Sequence, residues 1–341
     1  MSCDNTVSVV IVTHNAGKYI LPCLVSVLSS RNIHLEDVIV VDNASQDSTV
    51  DTIQRVFGKD SRVKIIRLHK NMGFPYACNL GIAHAHSKYV VLMNPDAIAD
   101  PYCFANLLAI ISSDGQVAVA QPKIVHPGGY IDSAGGLMDL LGHGFHIGKL
   151  QRDQGQYDRS RDIFYATFAC AMLRRDIYLR LGGMDPRFFL YNEDLDFCWR
   201  CWLAGYRIIY APNAIAYHVG QHITKKLPYQ AIYFGRRNRL YTVFTNYPLL
   251  VGIVASLLLL AFYIDLSFLS VIRGDKIEAR LTLRIVYKFF RDLKYLTRKK
   301  LSLVRRRHLS EILARRLITF KLVGLKLYLT GLYRRQPALE K

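Results

Sequence analysis

The stretch VSVVIVTHN, Val7 to Asn15, decides the fold. Apart from Ser8 its first six residues are apolar and mostly β-branched, so both faces of the strand they form are buried, as in a sheet covered by helices on both sides. The run then turns polar at Thr13, His14 and Asn15. The same design recurs in DVIVVDN (37–43), VKIIRL (63–68), YVVLMNPD (89–96) and VAVAQP (117–122). Helix-like segments separate these strands: KYILPCLVSVLSS, DSTVDTIQRVF, PYACNLGIAHAH and PYCFANLLAIISS. Strand and helix in alternation predict an α/β fold with a mostly parallel sheet.

Ligands of such sheets bind beyond the carboxyl ends of the strands. Those ends carry Thr13, His14 and Asn15, then Asp42 and Asn43, then Asn94 and Asp96. After the third strand, NMGFPYACNLG opens a helix with Asn71 and Gly73 and holds Asn79 and Gly81 inside it. Polar side chains along one sheet edge are able to read a base, hold a ribose and ligate a cation. Asn71, Gly73, Asn79 and Asn94 are expected to join such a site. No G-x-G-x-x-G follows the first strand, which disfavours a dehydrogenase-type dinucleotide site.

From Pro127 to Leu150 the chain is rich in glycine, and QRDQGQYDRSRD (151–162) reads as a polar loop. FYATFACAML is predicted as a strand, RRDIYLRLGG as a short helix, and YRIIYAPNAIAYHVGQH as one or two strands finishing at His218. Between them FFLYNEDLDFCWR, Phe188 to Arg200, sets Glu193, Asp194 and Asp196 among aromatic and apolar residues. The plain reading is a helix capped by Asn192, with acids in its first turn complementing the dipole and Gly205 stopping it. Asp196 and Arg200 stand four apart, a stabilising helix pair. Cys198 and Cys201 form a C-x-x-C without a second pair, so packing is expected there rather than zinc. The seven cysteines are an odd number and unclustered, and the N-terminus lacks a basic region followed by a long apolar run. Both point to a reduced, cytosol-facing protein.

Six blocks, SVVIVTHN, VIVVDNASQDST, NMGFPYACNLGI, LMNPDAIADP, LGGMDPRFFLYNEDLDFCWR and GYRIIYAPNAIAYH, resemble in order and spacing the inverting glycosyltransferases of family 2, above all their rhamnosyltransferase-like branch. The resemblance covers roughly residues 6 to 240. It implies a GT-A fold, a Rossmann-like nucleotide-sugar-binding domain with a mixed sheet, over residues 1–240. Thr13 and Asn15 would line the nucleotide pocket, and Asp42 would accept a hydrogen bond from the pyrimidine. Asp96 takes the last place of the family's D-x-D cation motif, which here reads Asn94-Pro95-Asp96. With His218 it would hold Mg2+ or Mn2+. Asp194 would be the catalytic base, with Glu193 shaping the sugar or acceptor site. The activity implied is transfer of a sugar, rhamnose as the leading donor, to a lipid-linked or growing glycan acceptor. A nucleotidyltransferase, or an inactive membrane-associated scaffold that binds nucleotide sugars, is the alternative.

The tail is different in kind. Between Arg273 and Lys341 stand 20 Lys and Arg against 5 Asp and Glu, which places +15 of the chain's net +19 there. No residue from Leu240 to Ile264 is charged, and the segment is long enough to span a bilayer. A crossing would put the basic tail on the side opposite the sheet, against the positive-inside tendency, so an in-plane helix is the favoured reading. Residues 241–341 are therefore expected to form a hydrophobic and basic helical region on the cytosolic face of the cell membrane, bound to anionic lipid. Basic residues interleaved with long aliphatic ones, without a nucleic-acid module, argue against nucleic acid.

Overall fold

The computed structural model describes residues 5–220, 228–303 and 317–319. Strands β1 (Thr6–Thr13), β2 (His34–Asp42), β3 (Val63–Arg67) and β4 (Tyr89–Met93) lie parallel in the order β4-β1-β2-β3, joined by helices α1 (Ile20–Leu28), α2 (Thr49–Phe57) and α3 (Phe74–His84). The continuous apolar runs are buried on both faces, as their composition requires. Strand order reverses direction of growth between β1 and β4, which opens a crevice at their carboxyl ends.

Beyond β4 the sheet becomes mixed. After β5 (Ala97–Ala99) and α4 (Cys103–Ser113) comes β6 (Val117–His126), which does not pair with β4. β11 (Cys170–Arg174) lies antiparallel between them. β12 (Arg207–His218) runs parallel to β6, and its end turns antiparallel onto β5. The strand predicted over FYATFACAML is therefore shorter, because residues 167–169 leave the ladder to wall a cavity. The glycine-rich segment is more ordered than its composition suggests. It holds β7 (Tyr130–Ser133), β8 (Gly136–Asp139) and β9 (Gly144–His146), and β10 (Arg161–Asp162) follows. β8, β9 and β13 (Ile318–Thr319) make a second small sheet.

Helix α5 (Arg175–Arg180) leads to α6 (Glu193–Leu203), which is buried almost throughout. Trp199 meets Phe164 and Tyr247 edge to face at 5.5 and 4.7 Å, and Cys198 and Cys201 are buried free thiols within the same packing. Three long helices complete the described chain: α7 (Pro228–Asn246), α8 (Leu249–Ile272) and α9 (Lys276–Leu303). A domain boundary at residue 240 falls inside α7, whose Leu240, Tyr241 and Val243 share one core with Leu195, Trp199 and Trp202. The sheet and the helices thus share one apolar core.

Helix α3 reaches the sheet through Gly81, where an added Cβ would stand 2.4 Å from Val10 Cγ1 and 3.1 Å from Val41 Cγ2. Gly81→Val is expected to destabilise the protein by about 1 to 3 kcal/mol through overpacking. Urea unfolding checks this, and an unchanged midpoint would contradict so close an approach.

Candidate active site

A cavity of about 500 Å³ opens at the switch between β1 and β4. Its floor is the polar ends of the parallel strands. Asn15 stands in the left-handed region at φ 54°, and its carboxamide oxygen accepts from the Gln46 amide at 2.8 Å, which joins the β1 and β2 ends. Asn43 donates to Asn71 Oδ1 at 3.0 Å and accepts from the Met72 amide at 2.8 Å, so the loop before α3 is fastened to β2. Gly73, at φ 85°, lets Phe189 approach to where a Cβ would be only 2.6 Å from the Phe189 carbonyl oxygen. That oxygen accepts from the Phe74 amide at 2.8 Å.

The structure brings most of the expected residues together. Asn15, Asn71, Gly73, Asn94, Asp96, Glu193, Asp194 and His218 all face the cavity. Thr13 and Asp42 lie just behind the wall, buried, and neither Thr13 Oγ1 nor Asp42 Oδ1 has a hydrogen-bond partner among the described residues. A buried acceptor left open in this way suits a ligand donor. Asn79 is different and corrects the expectation for it. Its oxygen accepts from the Tyr178 hydroxyl and the Met184 amide, and its nitrogen donates to the Met184 carbonyl. Its polar atoms are thus committed to tying α3 to the turn before α6.

At one end of the cavity Asp96 Oδ1 lies 3.3 Å from His218 Nε2, and Asp132 Oδ2 lies 2.9 Å from His218 Nδ1. Burial opposes a charge on His218, yet its hydrogen bonds to Asp132 and Asp96 outweigh that and raise its pKa to about 9. The same imidazole holds both carboxyls below their usual range in spite of burial. In the protonated ring both nitrogens donate, Nδ1 to Asp132 and Nε2 to Asp96. A cation that displaced the Nε2 proton would meet its lone pair beside Asp96, with the Nδ1 proton still held by Asp132, the arrangement that orients a ligating histidine. The set fits a divalent cation that completes its shell with ligand oxygens. Among the described residues no three His, Cys, Asp or Glu side chains gather to enclose one. Asp132 is the residue that sequence reasoning missed. It stands in GGYIDSAGG (128–136), where nothing local marks it, and only the pairing of β7 with β6 brings it near β12.

Glu193 and Asp194 open α6, but not as the cap rule expected. Asn192 is left-handed, at φ 68° and ψ −1°, and its side chain makes no capping hydrogen bond; the Leu195 amide donates to Asp194 Oδ1 at 2.7 Å instead. The residues before it are unusual. Phe189, at φ 65° and ψ −51°, is the centre of a γ-turn closed by the Leu190 amide on the Phe188 carbonyl at 2.7 Å, and Tyr191 is also left-handed at φ 68°. Positive-φ γ-turns are rare and strained, and each such residue costs on the order of 1 to 3 kcal/mol. Burial raises the pKa of both carboxyls, and the negative charge of Asp194 raises Glu193 further. The pair therefore ionises in turn, Asp194 first. Asp196 points away from the cavity and pairs with Arg200 at 3.0 Å, as its spacing predicted.

Known proteins resemble this chain in both sequence and shape. The sequence profile described as Glycosyl transferase family 2 matches residues 8–182. The N-acetylglucosaminyl-diphospho-decaprenol L-rhamnosyltransferase of Mycobacterium tuberculosis is 27% identical over 243 residues, 64% of this chain and 78% of that protein. An uncharacterized protein of Sinorhizobium fredii is 27% identical over 221 residues, 62% of this chain and 24% of its own length, so this chain spans about a quarter of that relative. Among solved structures, GalNAc-T7 with UDP, GalNAc and Mn2+ superposes with a TM-score of 0.57 at 18% identity, covering 71% of this chain and 48% of that one. The mannosyltransferase PcManGT of Pyrobaculum calidifontis, solved with GDP-Man and Mn2+, superposes with a TM-score of 0.51 at 16% identity, covering 87% and 85%. At such identities these likenesses speak for the GT-A-like fold. The profile match takes in half of the chain, from the first strand through most of the cavity floor, and by it the chain belongs to glycosyl transferase family 2, an enzyme of that class with a rhamnosyltransferase-like sequence.

Proposed function

We propose that the enzyme moves a sugar, rhamnose as the leading candidate, from a nucleoside diphosphate to a lipid-linked or polysaccharide acceptor by direct displacement with inversion. The observation that carries this reading is a desolvated carboxylate, Asp194, in the same switch-point cavity as the Asp96–His218 pair. The mycobacterial relative, an N-acetylglucosaminyl-diphospho-decaprenol L-rhamnosyltransferase, supports both the sugar and a lipid diphosphate acceptor. Asn15 would receive the nucleoside, with Thr13 and Asp42 in the layer behind it and Asn71, Gly73 and Asn94 beside the diphosphate and sugar. Asp96 and His218 would hold Mg2+ or Mn2+, which when bound neutralises the diphosphate and so eases its departure. Asp194 accepts the proton of the acceptor hydroxyl as that oxygen attacks the anomeric carbon and the bond to the diphosphate breaks on the opposite side. Its raised pKa makes it a stronger base than a solvated aspartate. Glu193, kept protonated longer, serves as a hydrogen-bond donor to the sugar or acceptor.

Release of nucleoside diphosphate from a panel of nucleotide sugars, with manganese or magnesium, tests the reading. Asp194→Asn is expected to lower kcat by at least about 10²-fold with donor affinity retained. Asp96→Ala is expected to weaken cation-dependent donor binding. Equal loss of binding in both would contradict the assignment, and binding without turnover in the parent protein would favour the scaffold. Because Asp194 acts deprotonated, kcat/KM should fall as pH drops, along an acid limb lying well above the usual aspartate value of about 4. A limb at the ordinary value would speak against a desolvated base.

The same reading seats the protein on the cytosolic face of the membrane without crossing it. Helix α8 packs Gly252, Ala255, Leu259, Tyr263 and Leu266 inward, while Leu250 is 75%, Phe268 66% and Leu257 59% exposed. Its outer face is thus apolar along a helix of 24 residues whose inner face is already occupied by protein. On α9, exposed Leu283, Tyr287 and Phe290 lie beside exposed Arg280, Arg284 and Arg291. An apolar stripe with a basic rim suits an anionic bilayer surface, each surface cation contributing about 1 kcal/mol. The protein is expected to float with vesicles containing phosphatidylserine and less with phosphatidylcholine alone, and the double change Leu257→Glu, Leu258→Glu should abolish flotation. Flotation that ignores both the lipid charge and the substitutions would refute this surface.

A further inference from the structure

The strained passage ahead of Asp194 is held from a helix that lies outside the segment matched by the family profile. Asn238 of α7, fully buried, donates through Nδ2 to the carbonyls of Phe188, Leu190 and Tyr191 at 2.9, 2.8 and 2.7 Å. Arg237 beside it donates from Nη2 to the carbonyls of Arg187 and Phe188 at 2.7 and 2.8 Å. Its Nε and Nη2 also reach Asn238 Oδ1 at 2.9 and 2.8 Å. A guanidinium has donors only, so the Asn238 oxygen must turn to Arg237 and the amino group to the loop. The guanidinium itself sits 5.0 Å from the Phe234 ring, and Phe234 stacks on Phe189, the centre of the γ-turn, at 5.0 Å and 22°.

We propose that Arg237 and Asn238 are positioning residues of sugar transfer: they hold Phe188–Asn192 in the left-handed course that delivers Asp194 to the cavity. A strained loop persists only where its surroundings over-determine it. If these two side chains withdrew, the carbonyls of Leu190 and Tyr191 would lose the donor that Asn238 gives them and that of Phe188 would keep only the γ-turn amide, and the loop would relax to an ordinary entry into α6. Neither residue faces the cavity, so their effect falls on the placement of the base and not on the donor. The inference rests on the reading of Asp194 as that base.

Asn238→Asp keeps the shape and removes every donor. It is expected to lower kcat about 100-fold in the nucleotide-sugar panel while changing the affinity for nucleoside diphosphate, read by calorimetry, less than about threefold. Amide exchange over residues 188–194 should quicken at least about tenfold while β1 stays protected, a readout that needs no knowledge of the donor. Arg237→Lys, a milder change that retains the charge but not the fork, should give about a tenfold loss of kcat and a smaller quickening. Tyr263→Phe, which removes another buried hydrogen bond to α7, should leave both readouts unchanged. Unaltered exchange at 188–194 in Asn238→Asp and Arg237→Lys, parallel loss of nucleotide affinity, or an equal effect of Tyr263→Phe would overturn the proposal. If Asp194→Asn turns over normally, it is the base assignment that fails, and accelerated exchange would still reveal the clamp.

Discussion

Helix α6 is buried along nearly its whole length, and of the acids it carries only Asp194, half-buried at the cavity, keeps appreciable contact with water. Removing a carboxylate from solvent costs several kcal/mol unless partners replace it. Asp196, fully buried, has them: Arg200 at 3.0 Å, Lys299 at 3.2 Å and Asn246 at 3.2 Å. Glu193 and Asp194 have no cation among the described residues, and their affinity for protons rises instead. Three carboxylates within four residues thus divide between one held as an ion by its partners and two whose proton affinity is raised. The division is set by which of them the surrounding helices supply with positive charge.

The same economy governs the other end of the cavity. His218 is flanked by two carboxylates, and one of them, Asp132, engages the ring nitrogen that faces away from Asp96. The strand ends supply the remaining polar lining, and side-chain oxygens of Asn15 and Asn71 are fixed by the amides of Gln46 and Gly73, with Asn43 donating to Asn71. Most of the polar cavity lining comes from the first half of the chain and Glu193 and Asp194 from the second, meeting where Gly73 admits Phe189.

What could be read in the sequence follows from the range of each interaction. The strands were legible because apolar periodicity and polar ends are local, and the Asp196–Arg200 pair because i,i+4 spacing is local too. Thr13 and Asp42 were placed at the correct strand ends, although they stand behind the cavity wall. Asn79 misled because a helix has a far side: its position in α3 turns it to Tyr178 and Met184. Asn192 misled because three positive-φ residues replaced the usual cap geometry, and no residue preference announces that. Asp132, Arg237 and Asn238 act on residues tens of positions away, and an isolated sequence gives no sign of such contacts.

The bridge made by Lys299 bears on how enzymes of this kind can diversify. Its ammonium joins Asp185, ahead of the γ-turn, to Asp196 on α6, at 3.0 and 3.2 Å, while neighbouring Lys300 donates to the carbonyls of Phe244 and Tyr247 at the end of α7. A helical region wired in this manner is not an interchangeable module. Recombination that replaced it would take from buried Asp185 its one ion-pair partner among the described residues, and from Asp196 one of its two. The sheet and the helices packed on it are therefore constrained to be inherited together, and a change in what those helices meet outside must arise by substitution on outward faces rather than by their wholesale exchange.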